Sequence, residues 1–268
     1  MKAIVADRHA QDIHTLRERV TGFLSDSEAR RFGFPRKSVR LAITHVIGRI
    51  RHAGWDAYLV GGTLRDLMLR PAKAGSAWSV PRDVDIVVCD VTVADLEKQL
   101  GDLVQRQTRF GGLHLAKSAA GYDVHFDVWP LHETWAFRRR SLPADIKLFP
   151  ETPFLNLDSI AISLSPDGPK GRSVYERGFV SGIQEETIEI NYEDNPFPDV
   201  CLIRALIMAA KLRFSLGERL ARFVSERYRR TTMDALLEAQ MSHYGKLRCS
   251  SDELVACFTL VQNSTYST

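Results

Sequence analysis

Asp83 and Asp85 stand two positions apart in "PRDVDIVV" (81–88), where Val84, Ile86, Val87 and Val88 otherwise read as a buried strand. Side chains two apart on a strand point to the same face. Two carboxylates would then stand side by side, and like charges that close repel unless something neutralises them. A second alternating stretch, "YDVHFDVWP" (122–130), puts Asp123, His125 and Asp127 on one face and Val124, Phe126 and Val128 on the other. A third acid on this strand could face the first two. Three clustered carboxylates are costly unless hard cations sit between them, and oxygen-rich sites of this kind suit Mg²⁺ or Mn²⁺. Two such ions about 3.5–4 Å apart clamp both oxygens of an in-line phosphoryl displacement. Gly61 and Gly62 supply a complementary part, because glycines let backbone approach a phosphate and a helix start offers free N–H groups.

Each piece alone has an ordinary explanation. A D-x-D pair is commonly an exposed edge or a salt-bridged pair, a Gly-Gly after a strand is commonly a tight turn, and Asp127 alone could face solvent. The order is more specific than its parts: strand, Gly-Gly, helix, strand with D-x-D, and a later strand with an acid between apolar residues.

The elements that must position these residues follow from periodicity. Ile13, Leu16, Val20, Phe23 and Leu24 recur at helical spacing over 9–25, and a turn-like "RRFGFPRKS" follows. Leu41, Ile43, Val46, Ile47 and Ile50 mark a second helix that Gly54 stops. "AYLV" is a short strand, "TLRDLMLR" a short helix, and "PAKAGSAWSVPR" a polar insertion. After the D-x-D strand come a helix over "VADLEKQLGDLV" and strands at "LHLAKS", "YDVHFDVWPL" and "DSIAISLS", the last turning at "SPDG". "DVCLIRALIMAAKLRF" is apolar nearly all round and reads as a buried helix. Three further helices complete the chain. The expected organisation is an N-terminal helical segment over 1–35, an α/β head over 36–168 with a mixed or antiparallel sheet flanked by helices, and a helical domain over 169–268.

With 268 residues the chain can bury an ample core, and 44% hydrophobic with 26% charged residues fits a globular protein rather than a disordered one. The net charge of +3 does not by itself mark a nucleic-acid binder. No window approaches the roughly 18 apolar residues of a membrane span, and the first residues lack the apolar run of a signal peptide. Cys89, Cys201, Cys249 and Cys257 show no C-x-x-C or zinc spacing, which points to reduced thiols in the cytoplasm.

"WDAYLVGGTLRDLMLR...PRDVDIVV" resembles the head domain of class II tRNA nucleotidyltransferases (CCA-adding enzymes) and bacterial poly(A) polymerases, within the DNA polymerase β-like superfamily. The matching features are the Tyr-Leu-Val strand, Gly61-Gly62, the Arg65-Asp66 pair and Asp83-x-Asp85. "NPFPDVCLIRALIMAAKLRF" is similar, more faintly, to a later family helix. The resemblance implies transfer of a nucleoside monophosphate from an NTP to a hydroxyl, with an RNA or tRNA 3′ end as the first acceptor. It implies Mg²⁺ or Mn²⁺ held by Asp83, Asp85 and Asp127, with Asp127 also the third acid that assists the hydroxyl and Asp123 its competitor. Gly61, Gly62, Arg65, Asp66 and Arg204 are the nucleotide-binding candidates, although Arg204 could equally pair with an acid. Where the family has R-R-D before its central strand, this chain reads Thr152, Pro153 and Phe154. Where E-D-x-x-R meets the incoming base, it has Phe197, Pro198 and Cys201. Without those polar partners base discrimination should fall. A protein or small-molecule hydroxyl is the alternative acceptor, and a non-catalytic nucleotide- or RNA-binding module is the alternative from another class. "FRRR" (137–140) and the arginines of 219–230 would meet RNA phosphates if RNA binds.

Overall fold

The computed structural model describes residues 2–24, 37–69, 83–119, 122–140, 143–166 and 171–265. The expected insertion at 71–82, most of the turn after the first helix and the end of "SPDG" lie outside the described residues. The helices are α1 (Lys2–Leu24), α2 (Lys37–His52), α3 (Gly62–Met68), α4 (Val93–Leu100), α5 (Trp135–Arg140), α6 (Phe179–Gln184), α7 (Pro198–Leu212), α8 (Glu218–Arg230), α9 (Met233–Tyr244) and α10 (Ser251–Thr265). The strands are β1 (Ala57–Val60), β2 (Asp83–Val88), β3 (Val104–Gln107), β4 (Leu113–Ala119), β5 (Tyr122–Pro130), β6 (Ile160–Ser163), β7 (Val174–Glu176), β8 (Thr187–Ile188) and β9 (Ser215–Leu216). The chain divides into two compact units, Met1–Thr152 with Asp158–Val180, and Pro153–Leu157 with Ser181–Thr268.

The first unit is built on a mixed seven-stranded sheet of order β3-β4-β5-β2-β1-β6-β7. Every neighbouring pair is antiparallel except β2 and β5, which run parallel. Parallel neighbours need a crossover, and here α4, β3 and β4 occupy it. One sheet face carries Leu59, Val84, Ile86, Leu115, Val124, Phe126 and Val128, all fully buried. Helices α2 and α4 pack on β4 and β5, and α1 packs on α2 and α3. Fully burying one such side chain is worth roughly 1.5–3 kcal/mol, so this face dominates the unit's stability. The opposite face carries the acids and, beyond them, a smaller cluster of Tyr58, Val60, Val87, Leu131, Phe137, Phe149 and Ala161.

The expected helical faces of α1 and α2 are buried, with one exception. Leu41 is 50% exposed, while Val39 and Ala42 take the inward positions. The α2 stop at Gly54 is a left-handed residue (φ 75°) whose N–H bonds Arg51 O. Thr92 and Asp95 form a capping box at the start of α4. The helix expected across 93–104 ends at Leu100, and Val104 instead opens β3. Strand β7 was not anticipated either, since three residues carry too little pattern to recognise.

The second unit is helical apart from the parallel pair β8–β9. Helix α7 buries Val200, Cys201, Leu202, Ile203, Ala205, Leu206, Met208 and Ala209, as its nearly continuous apolar character predicts. Arg227 of α8 grips both carboxylate oxygens of Asp199, in the first turn of α7, at 2.7 and 2.8 Å. That fork holds the Asp199 carboxyl below its usual range.

Candidate active site

The D-x-D acids sit where strand register puts them. Val60, the last residue of β1, pairs with Asp85, and Asp85 pairs across the parallel seam with Asp127. Asp83 pairs with His125. Antiparallel β4 then sets His114 opposite Asp127. One row therefore crosses four strands as Val60, Asp85, Asp127 and His114, on the face away from the helical layer.

Because Val60 opposes Asp85, the residue after Val60 must arrive beside that carboxylate. Gly61 does so at φ 66°, in the left-handed region where glycine carries no steric penalty. A Cβ built there would lie 3.4 Å from Asp85 Oδ2. The turn is anchored from below by Thr63, buried in α3, whose hydroxyl donates to Asp83 O at 3.1 Å. A Cβ at Gly62 would come within 3.1 Å of the Arg65 guanidinium. Arg65 is itself only 12% exposed and donates to Asp158, 9% exposed, at 2.6 Å. Its Nε donates to Asp66 at 3.3 Å. The Arg65–Asp158 pair thus forms a buried strut under the glycine turn.

Asp127 and Asp123 differ sharply. Asp123 is exposed, accepts a bond from the Ser118 hydroxyl at 2.6 Å and lies beyond the paired length of β2. Asp127 stands directly beside Asp85, and its Oδ1 is bonded to His114 Nδ1 at 2.7 Å. The His114 and His125 rings stack, 5.2 Å between centroids and 18° between planes. The three acids share a face without closing into a cage. Among the described residues, no three His, Cys, Asp or Glu side chains gather closely enough to hold a metal alone. Mg²⁺ commonly takes one or two carboxylates and completes its shell with phosphate and water oxygens. Asp83 and Asp85, with Asp85 beside the glycine turn, fit that lesser demand.

No protein-family model matches the chain, and no curated protein matches it in sequence. Solved structures do. A CCA-adding enzyme in complex with ATP superposes with a TM-score of 0.55 at 18% identity, over 88% of this chain and 53% of its own. A tRNA nucleotidyltransferase complexed with a primer tRNA and an incoming ATP analogue gives 0.53 at 20%, over 82% and 60%. The Thermotoga maritima CCA-adding enzyme complexed with tRNA gives 0.55 at 20%, over 90% and 54%.

The fold is that of the CCA-adding enzymes. The resemblance read from the Gly-Gly and D-x-D stretches therefore holds at the level of fold, for a sheet-based head followed by a helical part. This chain spans between about half and three-fifths of the length of those structures.

Other expected residues lie on other elements. Arg204 is an exposed residue of α7 and belongs to the second unit, whereas the glycine turn and the acids belong to the first. Thr152 to Phe154 precede β6 without adjoining it. Strand β6 starts at Ile160, so the acid preceding it is Asp158, the partner of Arg65. Of the basic clusters, Arg138 pairs with Glu133, Arg219 with Glu193, Arg222 with Glu218 and Arg227 with Asp199. His114 and Asp158 went unrecognised in the sequence. The signal for His114 was available: Leu113 and Leu115 flank it, and counting back from Ala119 opposite Tyr122 brings it to Asp127.

Proposed function

We propose that the protein transfers a nucleoside monophosphate from an NTP to a hydroxyl, forming a phosphodiester and releasing pyrophosphate, with an RNA 3′ end, in the tRNA class, as the first acceptor. The observation that carries this is the register in which Asp85 stands between the glycine turn and Asp127. Gly61 and Gly62 present backbone without side chains, the approach a triphosphate needs. Asp83 and Asp85 would hold Mg²⁺ or Mn²⁺ together with the phosphates. When bound, the metal neutralises charge on the transferring phosphoryl group and polarises it. Asp127 faces the acceptor side and takes the proton of the attacking hydroxyl, while the Arg65–Asp158 strut keeps the turn in place. Similarity to structures solved with ATP, an ATP analogue and tRNA supports the substrate classes. Among the described residues no helix is long and apolar enough to cross a membrane, and four free cysteines suit a reducing cytoplasm.

Incubation of the purified protein with each labelled NTP, Mg²⁺ or Mn²⁺, and total RNA or lysate tests this directly. Label on RNA is the expected result. Label on protein or a metabolite would transfer the proposal to that acceptor, and no label at all would leave a binding module.

Two further outcomes follow. Asp127→Asn should lower transfer by about 10²–10⁴-fold, the usual worth of a general base, with NTP binding kept, while Asp123→Asn should be mild. The reverse pattern, seen in single-turnover assays beside NTP titrations, would reassign the third acid. Base choice should be broad or set by pocket shape. Pro198 opens α7, Phe197 precedes it, and Cys201 is buried, its thiol pushed up to about 12 by that burial. None of the three offers a charged group to a base edge. Sequencing products made from all four NTPs on a tRNA lacking its 3′ end checks this; clean, terminating C-C-A addition would overturn it.

A further inference from the structure

We propose that His114 is a positioning residue that fixes which oxygen of Asp127 meets the acceptor hydroxyl; this rests on the nucleotidyl-transfer reading above. His114 lies between Leu113 and Leu115, both fully buried, so its own side chain stands on the acid face. Its Nδ1 is 2.7 Å from Asp127 Oδ1. An ionised carboxylate can only accept, so Nδ1 carries the hydrogen and donates it. One lone pair of Oδ1 is thereby engaged, which makes Oδ2 the freer oxygen for the chemistry.

The bond needs a fixed ring to be useful, and His125 supplies it. The two imidazoles lie nearly parallel in contact, which restrains rotation of His114 about its χ2. His125 Nδ1 is buried with no hydrogen-bond partner among the described residues, so its evident contribution is the stack rather than a bond. Asp127 needs such restraint, because its side chain is 37% exposed against 17% for His114. A half-open strand aspartate otherwise samples several rotamers, and a misplacement of about 1 Å near reacting atoms can cost around 10²-fold in rate. Partners that orient a functional carboxylate or imidazole through its second hydrogen bond commonly matter 10–100-fold.

The test uses two substitutions. His114→Phe keeps a flat ring against His125 but has no N–H to give. It should lower kcat about 10- to 100-fold at unchanged KM for the NTP. His114→Asn can place an amide N–H where Nδ1 stands and should recover most of that loss. Wild-type kcat in the Phe variant, or an equal fall in both, would overturn the proposal. A merely structural role would reduce the folded fraction without this split. A readout independent of activity is ring ¹⁵N NMR of the metal-free full chain, where His114 should show a protonated Nδ1 that loses its signature in Asp127→Ala. A lone pair on Nδ1 would overturn the assignment. If the wild type transfers no nucleotide, the function proposed above fails, and the NMR result still decides whether the His114–Asp127 bond exists as described.

Discussion

Replacing Asp85 with alanine is expected to abolish nucleotidyl transfer while leaving the protein folded, and Asp83→Ala is expected to do the same. Both carboxylates stand on β2 with the glycine turn at their edge, and Asp85 also faces Asp127 across the parallel seam. Charge stabilisation by a bound metal is worth several kcal/mol in the transition state. Each 1.4 kcal/mol is a factor of ten, so a loss of at least about 1,000-fold is expected. Folding should not suffer, because removing one carboxylate from a face that also carries two others relieves repulsion in the metal-free protein. Thermal unfolding without metal should stay level or shift upward. Full activity in either variant would sink the assignment. A large drop in metal-free melting temperature would show that the acids serve the fold.

Breaking the strut under the glycine turn is expected to have the largest effect on stability. Arg65 and Asp158 are both nearly buried and joined at 2.6 Å. Removing one partner from a buried ion pair costs up to about 3–5 kcal/mol, and less where, as for Arg65 with Asp66, the remaining charge keeps another bond. Asp158→Ala should therefore lower stability by up to that amount in chemical denaturation, and Arg65→Met by a similar amount. Replacing both together, as Arg65→Met with Asp158→Leu, should restore most of it, since an apolar pair needs no compensation. The double variant separates fold from function. If the strut only stabilises, transfer returns with stability; if it also aims the turn, stability returns and NTP affinity stays low. Single variants within about 0.5 kcal/mol of wild type, the range of ordinary surface changes, would show that the pair is unimportant.

Much of the site was legible because period-two alternation is a strong signal in short strands. "DVDIVV" and "YDVHFDVWP" each declare which residues share a face, and the structure keeps both assignments. What alternation cannot supply is which strands become neighbours. That Asp127 rather than Asp123 lies beside Asp85 depends on the parallel register of β2 and β5, which no local pattern encodes. Asp158 was hidden for a different reason. It precedes an apolar strand and looks like an ordinary polar boundary, yet it is buried because Arg65, far away in the chain, arrives to neutralise it. Leu41 misled in the opposite direction: it fits the helical spacing but lies on the outer side of α2. Strand β3 was missed because Gln105, Arg106 and Gln107 are all exposed, so no burial pattern marks them.

The one parallel pairing of the seven-stranded sheet, among the described residues, also bears on how the protein assembles. Strands β4 and β5 adjoin in sequence and can pair early, so His114 and Asp127 meet through local contacts. Strand β2 joins β5 only after the chain between them closes a long loop, and such closures carry an entropic cost that slows folding. Asp85 reaches Asp127 only when that seam forms. The repulsion between the two acids thus opposes the closing of that seam. A divalent cation shared between them would offset that repulsion, so the ion proposed for the chemistry would also favour closure of the seam.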